Sequence, residues 1–165
     1  MSGISLRRAT AADVDFLVGL VNDDDTRRYL GNRVSDTRDA VLADLARPPQ
    51  EFGWFMIEVD GERAGCVAFE RISEQHRIAS AGRFVVHPDF RERRIGVEAA
   101  RLFLRLLLRE LGFHRIELQI YGFNERAIAH AERAGYVREG VKRRAYSKDG
   151  AWVDAVMFSL IAEDL

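Results

Sequence analysis

The residues with the clearest chemical potential form a basic turn between an apolar strand and an apolar helix. The turn lies within the run Phe84-Val85-Val86-His87-Pro88-Asp89-Phe90-Arg91-Glu92-Arg93-Arg94-Ile95-Gly96-Val97-Glu98-Ala99. The first amides of a helix have no partner inside the helix, and the helix dipole adds partial positive charge at that end. Arginine side chains nearby can pair with phosphate oxygens through two hydrogen bonds at once. The run therefore predicts a binding site for a phosphate-bearing ligand.

Two other phosphate-binding patterns do not occur in the chain. Neither G-x-x-x-x-G-K-[ST] nor G-x-G-x-x-G is present. Taken alone, the three arginines of the turn fit an exposed loop equally well, because nearly all the positive charge is arginine, with lysine only at Lys142 and Lys148. That bias is typical of a GC-rich bacterial genome. The choice between the two interpretations depends on the rest of the sequence.

A second motif lies downstream of the first. The pattern N-x-x-[AS], followed by E-[KR]-x-G-[FY], is matched by Asn124, Ala127, Glu132, Arg133, Gly135 and Tyr136. Upstream, Arg91 and Gly96 occupy the two ends of the pattern [QR]-x-x-G-x-[GA]. With both motifs in this order and at this spacing, the chain resembles the GNAT acetyltransferase superfamily. Arg94 departs from the family pattern, which has its first glycine there.

The likeness is greatest to the ribosomal-protein and polyamine acetyltransferase branch, of Rim type. Chains of that branch contain segments much like Leu6-Arg7-Arg8-Ala9-Thr10, Gly135-Tyr136-Val137-Arg138-Glu139-Gly140 and Trp152-Val153-Asp154. The resemblance implies an α/β (α+β) GNAT-like fold, with a mixed, mostly antiparallel sheet of about seven strands flanked by helices on both faces. Its fourth and fifth strands splay apart and admit the pantetheine arm of coenzyme A. We expect a single domain over residues 1–165.

The hydrophobic pattern predicts the individual elements. Strands are expected at residues 4–8, 52–59, 63–71, 78–86, 115–121, 137–141 and 151–160, and helices at about 10–20, 23–30, 35–46, 96–111 and 124–134. Thr10 and Asp13 resemble a capping box at the start of the first helix. The fourth helix is expected to be buried over most of its circumference, because its polar residues form one stripe, Glu98, Arg101, Arg105 and Arg109.

The resemblance implies which residues hold acetyl-CoA, the expected cosubstrate. The main chain of Phe84, Val85 and Val86 would pair with pantetheine like an added strand. Asn124 would touch the cosubstrate arm while also capping its own helix. The pyrophosphate would be held by the loop residues Arg91, Glu92, Arg93, Arg94, Ile95, Gly96 and Val97. Arg94 either weakens this loop, because glycine allows close approach and positive φ, or replaces a lost amide contact with its guanidinium.

The groups that usually move protons in this family are missing. Their positions hold Ala81 and Ala131. Three residues are candidates to replace them, namely Glu70, Tyr121 and His130. Each also has a structural interpretation, as a solvated strand end, a packed strand tyrosine and a surface histidine respectively. The apolar surroundings of Cys66 predict a core residue rather than a nucleophile.

These features favour an N-acetyltransferase that acts on a protein N-terminus, a polyamine or another small amine. The alternative is a module on the same scaffold that binds acyl-CoA or a partner without catalysis. The net charge of -1 argues against nucleic acid as a partner. We expect no membrane segment, no metal ion, a cytoplasmic location and room for a homodimer.

Overall fold

The computed structural model describes residues 3–30, 37–91 and 93–165. The strands are β1 (Ile4–Arg8), β2 (Phe52–Val59), β3 (Glu62–Ser73), β4 (Ile78–Val86), β5 (Arg115–Tyr121), β6 (Val137–Lys148) and β7 (Ala151–Ile161). The helices are α1 (Val14–Val21), α2 (Asp24–Arg27), α3 (Arg38–Leu45), α4 (Ile95–Arg105) and α5 (Glu125–Ala134). A π-helical turn over Leu106–Glu110 extends α4. No helix in the described ranges is long and apolar enough to span a membrane.

The strands form one mixed sheet in the order β1-β2-β3-β4-β5-β7-β6. Every neighbouring pair is antiparallel except β4 and β5, which are parallel. Tight turns join two of the antiparallel pairs, with positive φ at Asp60-Gly61 and at Asp149-Gly150. The predicted sheet is thereby confirmed.

Helices cover the two faces of the sheet unequally. One face, called here the α4–α5 face, carries α4 over a core that includes Phe55, Phe69 and Ile116. On the same face, Ala131 of α5 packs on Ile120 and Phe158. The other face, called the α1–α3 face, packs α1 and α3 against β2, β3 and β4, with Trp54 and Met56 in its core. Most of β6 is exposed at the edge of the sheet.

The long buried helix follows the predicted pattern. Its exposed residues include Glu98, Arg101, Arg105 and Arg109, while the positions between them are buried or half-buried. Gly112 and Gly135 both have positive φ, at 76° and 106°, so each ends its helix in the left-handed conformation. The sequence pattern was therefore sufficient to orient this helix.

Helix α2 and strand β6 differ from the sequence prediction. Helix α2 has only four residues, Asp24–Arg27. The chain then continues to Leu30 as a turn, in which the Tyr29 amide donates to Thr26 and the Leu30 amide donates to Arg27. Strand β6 continues seven residues beyond Val141, since its pairing with β7 resumes at Tyr146 after a register shift. The predicted start of the third helix at Ser35 lies outside the described residues, and the helix is described from Arg38.

Asp13 anchors the beginning of the chain to the sheet. Its fully buried carboxylate accepts hydrogen bonds from the Thr10 amide at 2.8 Å, from Arg7 at 2.7 and 2.9 Å, and from Arg63 at 2.9 Å. The bond from Thr10 is the capping interaction that the sequence suggested. The Arg7 guanidinium beside Asp13 holds the pKa of that carboxyl well below its usual range.

We expect Asp13→Asn to lower the free energy of unfolding by about 3 kcal/mol at pH 7, because Arg7 and Arg63 lose their buried counter-charge. Since the pKa of Asp13 is depressed in the folded protein, its stabilisation is present above the carboxyl pKa of the unfolded chain, about 3.9. That stabilisation is lost as the pH falls further. Urea titrations should therefore show the gap between wild type and variant narrowing from pH 7 to pH 3.

Asp15→Asn is the matched control, because Asp15 is an exposed carboxylate whose partner is Arg38. Exposed pairs contribute at most about 1 kcal/mol. Equal losses for the two variants would contradict the role given to Asp13.

Candidate functional site

A wedge-shaped cleft opens where β4 and β5 separate. The two strands pair only from Ile78 to Ser80 on β4 and from Arg115 to Glu117 on β5. Strand β4 nevertheless continues to Val86, and β5 continues to Tyr121. In the described part of the chain, residues 81–86 therefore have a strand neighbour on the β3 side only. Apart from the Val86 carbonyl, which accepts a hydrogen bond from Arg91, their backbone groups on the cleft side are available to a ligand.

Strand β4 is bent away from β5 by two local features. Arg83 and Phe84 together face Val67, which is a β-bulge, and Arg83 has a φ of 52°. Further along, a Cβ atom on Gly65 would lie 2.2 Å from the carbonyl oxygen of Val85. Only glycine permits so close an approach of β3 to β4. The far half of β4 thus lies tightly against β3.

The bulge places the Arg83 side chain on the α1–α3 face. Its guanidinium lies 5.0 Å from the ring centre of Phe52 and 5.2 Å from that of Trp54. It also forms an ion pair with Asp44 at 3.4 Å. Burial lowers the pKa of Arg83. The sequence does not reveal this cation beside the cleft, because one arginine in an apolar strand is no recognisable signal.

The predicted basic turn ends at the first residues of α4. Arg91 donates from Nε to the Val86 carbonyl at 3.1 Å, and the Arg93 guanidinium lies 4.9 Å from the Phe90 ring centre. Arg94 is the residue before the helix, with φ 57° and ψ 19°, and its side chain makes no capping hydrogen bond. The side chain of Arg94 therefore does not occupy the amides of the first turn. Glu92 lies outside the described residues.

His130 links α5 to the beginning of α4 and to β4. Its ring centre lies 5.0 Å from that of Phe84, and a Cβ on Gly96 would lie 3.1 Å from Nε2. That nitrogen is buried and has no hydrogen-bond partner among the described residues; the Gly96 backbone lies close by, without hydrogen-bond geometry. Burial lowers the pKa of His130, and Arg133 and Arg126 act in the same direction. The predicted surface histidine is therefore half-buried.

Asn124 has the predicted capping role. Its Oδ1 accepts a hydrogen bond from the Ala127 amide at 3.2 Å and fixes the start of α5. The main chain carries it from the end of β5 directly into α5. Asn124 therefore lies beside the cleft, although its side chain is already committed to the helix.

Tyr121 is the last residue of β5 and points to the α1–α3 face. Its neighbour Ile120 packs beneath α5, and successive strand residues alternate between faces. Burial, the nearby Tyr146 and Asp149 raise the pKa of Tyr121, so its phenol is protonated at neutral pH. Its hydroxyl has no hydrogen bond to the described residues, whereas the Tyr146 hydroxyl donates to Gln119 at 2.6 Å. Tyr121 therefore has a proton to donate.

Glu70 lies at the narrow end of the cleft on the α1–α3 face. It pairs in register with Ser80, the last residue of β4 that contacts β5. Its carboxylate forms an ion pair with Arg47 at 3.3 Å. No hydrogen bond or ring contact among the described residues joins any two of Glu70, Tyr121 and His130. The three candidates are thus spread around the cleft.

The chain also resembles known proteins over most of its length. A profile of the Acetyltransferase (GNAT) domain matches residues 4–137. The chain belongs to the GNAT acetyltransferase family. Family membership confirms the resemblance that the two sequence motifs indicated.

Individual GNAT relatives are more distant. Spermidine N(1)-acetyltransferase of Escherichia coli (strain K12) is 26% identical over 102 residues, which cover 62% of this chain and 54% of that protein. A prophage-derived uncharacterized N-acetyltransferase of Bacillus subtilis (strain 168) is 24% identical over 115 residues, which cover 69% of this chain and 64% of the relative. The chain thus matches between half and two thirds of the length of these relatives.

The fold is shared with a solved GNAT structure. Spermidine N-acetyltransferase from Vibrio cholerae in complex with CoA and spermine has a TM-score of 0.86 to this chain at 20% identity. The match covers 98% of this chain and 96% of that one. This likeness indicates that the sheet of this chain, with β4 and β5 splayed apart, has the GNAT fold.

Within the GNAT pattern, the departures predicted from sequence have structural counterparts. Ala131 and Ala81 are both buried, so neither usual position offers a side chain that transfers protons. Cys66 is fully buried, and burial raises the pKa of its thiol to about 12, which confirms a core residue. Arg94 occupies a left-handed backbone position at which glycine is favoured.

Arg94→Gly should therefore stabilise the protein. A non-glycine residue in this conformation destabilises the folded protein by about 1 kcal/mol. Glycine removes this strain, but its greater freedom in the unfolded chain cancels part of the gain. We expect the free energy of unfolding to rise by about 0.5–1 kcal/mol, as measured by chemical denaturation. Arg93→Gly is the control, because positive φ is not found at Arg93, and it should not stabilise. A gain for both variants would show that the effect is not one of backbone strain.

Proposed function

We propose that this protein transfers the acetyl group of acetyl-CoA to a primary amine. The observation that carries the proposal is the parting of β4 from β5 after Ser80, next to the uncapped first turn of α4. One side of the cleft presents unpaired backbone, and its end presents helix amides with arginines around them. Membership of the GNAT family supports the same reaction.

The residues around α4 fit a nucleotide thiol. We propose that the main chain of Phe84, Val85 and Val86 pairs with the pantetheine arm, and that the amides of Ile95, Gly96 and Val97 bind the diphosphate. Gly96 leaves this first turn free of a side chain on the His130 side. Acetyl-CoA supplies the acetyl group as a thioester. We keep the remaining predicted contacts as part of the proposal: Asn124 beside the cosubstrate arm, and the loop residues Arg91, Glu92, Arg93 and Arg94 for the diphosphate.

We assign proton donation to Tyr121. Its phenol is protonated at neutral pH, its hydroxyl is not engaged by the described residues, and it stands at the open end of the cleft. A thiolate is a better leaving group when a positioned acid protonates it, which contributes typically about 10²–10⁴-fold. His130 receives a positioning role instead, because its buried Nε2 faces the Gly96 backbone rather than the open cleft.

Glu70 attracts the acceptor in this proposal rather than serving as the base. Its carboxylate is held by Arg47, yet it lies half-exposed at the narrow end of the cleft. An anion there favours the approach of an ammonium group. The proton that the amine gives up leaves to water on the open α1–α3 side of β5, β6 and β7. Holding the two reactants together supplies roughly 7–11 kcal/mol, so catalysis does not require a dedicated base.

The acceptor in this proposal is a primary amine. The E. coli relative carries the name spermidine N(1)-acetyltransferase, so polyamines are candidate acceptors alongside protein N-termini and other small amines. We also propose a cytoplasmic enzyme, with its thiol free and buried, and a homodimer through the β6–β7 hairpin, which carries the exposed apolar residues Val137 and Trp152.

Thiol release separates an enzyme from a binding module. We expect the protein to release coenzyme A from acetyl-CoA when primary amines are added, with thiol followed by a colorimetric reagent. Tight calorimetric binding of coenzyme A without release for any amine would favour the module. Gly96→Val should weaken binding at least tenfold, because its Cβ would lie 3.1 Å from His130. Gly19→Ala is the control, since a Cβ there meets nothing within 4 Å.

Tyr121→Phe tests the assigned acid. We expect kcat to fall about 10²-fold while the affinity for coenzyme A stays unchanged, because only the hydroxyl is removed. Tyr136→Phe is the matched control, since the family motif accepts either ring at that position. Unchanged kcat in the Tyr121 variant would show that water or another group protonates the leaving thiolate.

A further inference from the structure

Four aromatic rings stand in a row at the open end of the cleft. They are called here the aromatic wall, and they are Tyr29, Phe123, Tyr121 and Tyr146. Ring centres lie 6.1 Å apart for Tyr29 and Phe123, 5.5 Å for Phe123 and Tyr121, and 6.2 Å for Tyr121 and Tyr146. The first ring follows α2, the next two come from the end of β5 and the loop after it, and the last comes from β6. Segments far apart in sequence thus converge on one surface.

The wall does not belong to the core of the protein. None of its rings is a member of the three buried clusters. Tyr29 is 44% exposed and Phe123 is 40% exposed, which is unusual for two large rings in contact with each other. Exposed apolar surface concentrated in one place marks a binding site more often than scattered apolar residues do. Stability alone therefore does not account for the wall.

The wall extends the cleft on the α1–α3 face, which is the face opposite helices α4 and α5. Tyr121 points to the α1–α3 face, as its alternation with the buried Ile120 requires. The predicted diphosphate site at Gly96 belongs to the α4–α5 face. An acceptor resting on the wall and a cosubstrate entering from α4 would therefore reach the gap between β4 and β5 from opposite faces. This arrangement allows both reactants to be bound at once, as a direct transfer between them requires.

The chain's own cations already lie over two rings of the wall, Tyr29 and Tyr121, on either side of Phe123. The Lys148 ammonium lies 5.7 Å from the Tyr121 ring centre and donates to the carbonyls of Arg27 at 3.1 Å and Leu30 at 3.3 Å. The Arg28 guanidinium lies 5.6 Å from the Tyr29 ring centre. Cation–π attraction at these rings is thus supplied internally, and a second cation on either ring would meet like charge. The exposed Phe123 between them favours an uncharged ring or hydrocarbon.

We propose that the aromatic wall selects an acceptor whose reactive amine is attached to an aromatic ring through a short carbon chain. This proposal rests on the proposed acetyl transfer and names its acceptor class. The ring of the acceptor stacks on Phe123 and Tyr29, and its amine reaches past Tyr121 into the cleft. A polyamine has a second ammonium group in place of the ring. That ammonium group would lie between Arg28 and Lys148 and would be repelled by both.

The test compares four amines as acceptors for the full chain with acetyl-CoA. They are 2-phenylethylamine, 2-cyclohexylethylamine, ethylamine and spermidine. The first tests stacking of an aromatic ring, the second tests bulk without aromaticity, the third is the amine without a ring, and the fourth adds further positive charge. We expect kcat/KM to be highest for 2-phenylethylamine. Phe123→Leu and Tyr29→Leu should each reduce kcat/KM for this amine about tenfold, since an aromatic contact is lost. The same variants should change kcat/KM for ethylamine less than twofold.

Ile72→Ala is the control variant, because Ile72 is an exposed apolar residue on β3 outside the wall and the cleft. It should leave the order of the four amines unchanged. Equal losses for all four amines in the wall variants would show a structural role and overturn the proposal. A preference for spermidine in the wild type would overturn it in favour of a polycation acceptor.

A direct binding measurement keeps this proposal separate from the proposed function. Saturation-transfer NMR with 2-phenylethylamine, in the presence of coenzyme A, should show contact between the ligand ring and the wild-type protein. The signal should be reduced in Phe123→Leu. Binding without acetylation would refute the acetyl transfer while supporting the wall as an aromatic-amine site. Acetylation of ethylamine with no contact from the phenyl ring would refute the wall alone.

Discussion

The loss of backbone pairing between β4 and β5 after Ser80 is the constraint on which the rest of the structure depends. A sheet that stayed paired would bury these groups in its own ladder and leave a ligand nothing to bind. The separation persists because each strand is held on its other side, β4 by β3 and β5 by β7. Helices α4 and α5 then cover one face of the gap, where His130 and Phe84 meet. The opposite face is left to the aromatic residues.

Two kinds of information in the sequence were sufficient for the fold, and they also indicated a cosubstrate loop, whose role stays a prediction. Periodic burial placed α4 with its stripe from Glu98 to Arg109, and glycines with positive φ marked the ends of helices. The ordered motifs placed the basic turn and Asn124 beside the same cleft. These features are local, because each depends on residues within a few turns or strands of one another. Local patterns are what a single sequence displays most clearly.

The features that the sequence did not reveal depend on contacts between distant segments. Asp13 was predicted as a helix cap, but Arg63, fifty residues away, makes it a buried ion-pair centre as well. Arg83 gave no signal, since its position follows from a bulge between β3 and β4. The aromatic wall joins Tyr29 to Tyr146 through rings from β5 and the loop after it. No spacing rule connects such positions before the chain is folded.

Gly65 sets the opening of the cleft from behind. Any side chain there would collide with the Val85 carbonyl, so β3 would have to release β4, and the freed strand would move toward β5. A single methyl group on the far side of a strand would thus narrow a passage that it does not touch. A position that controls the width of the cleft thus lies inside the sheet, where no ligand can contact it.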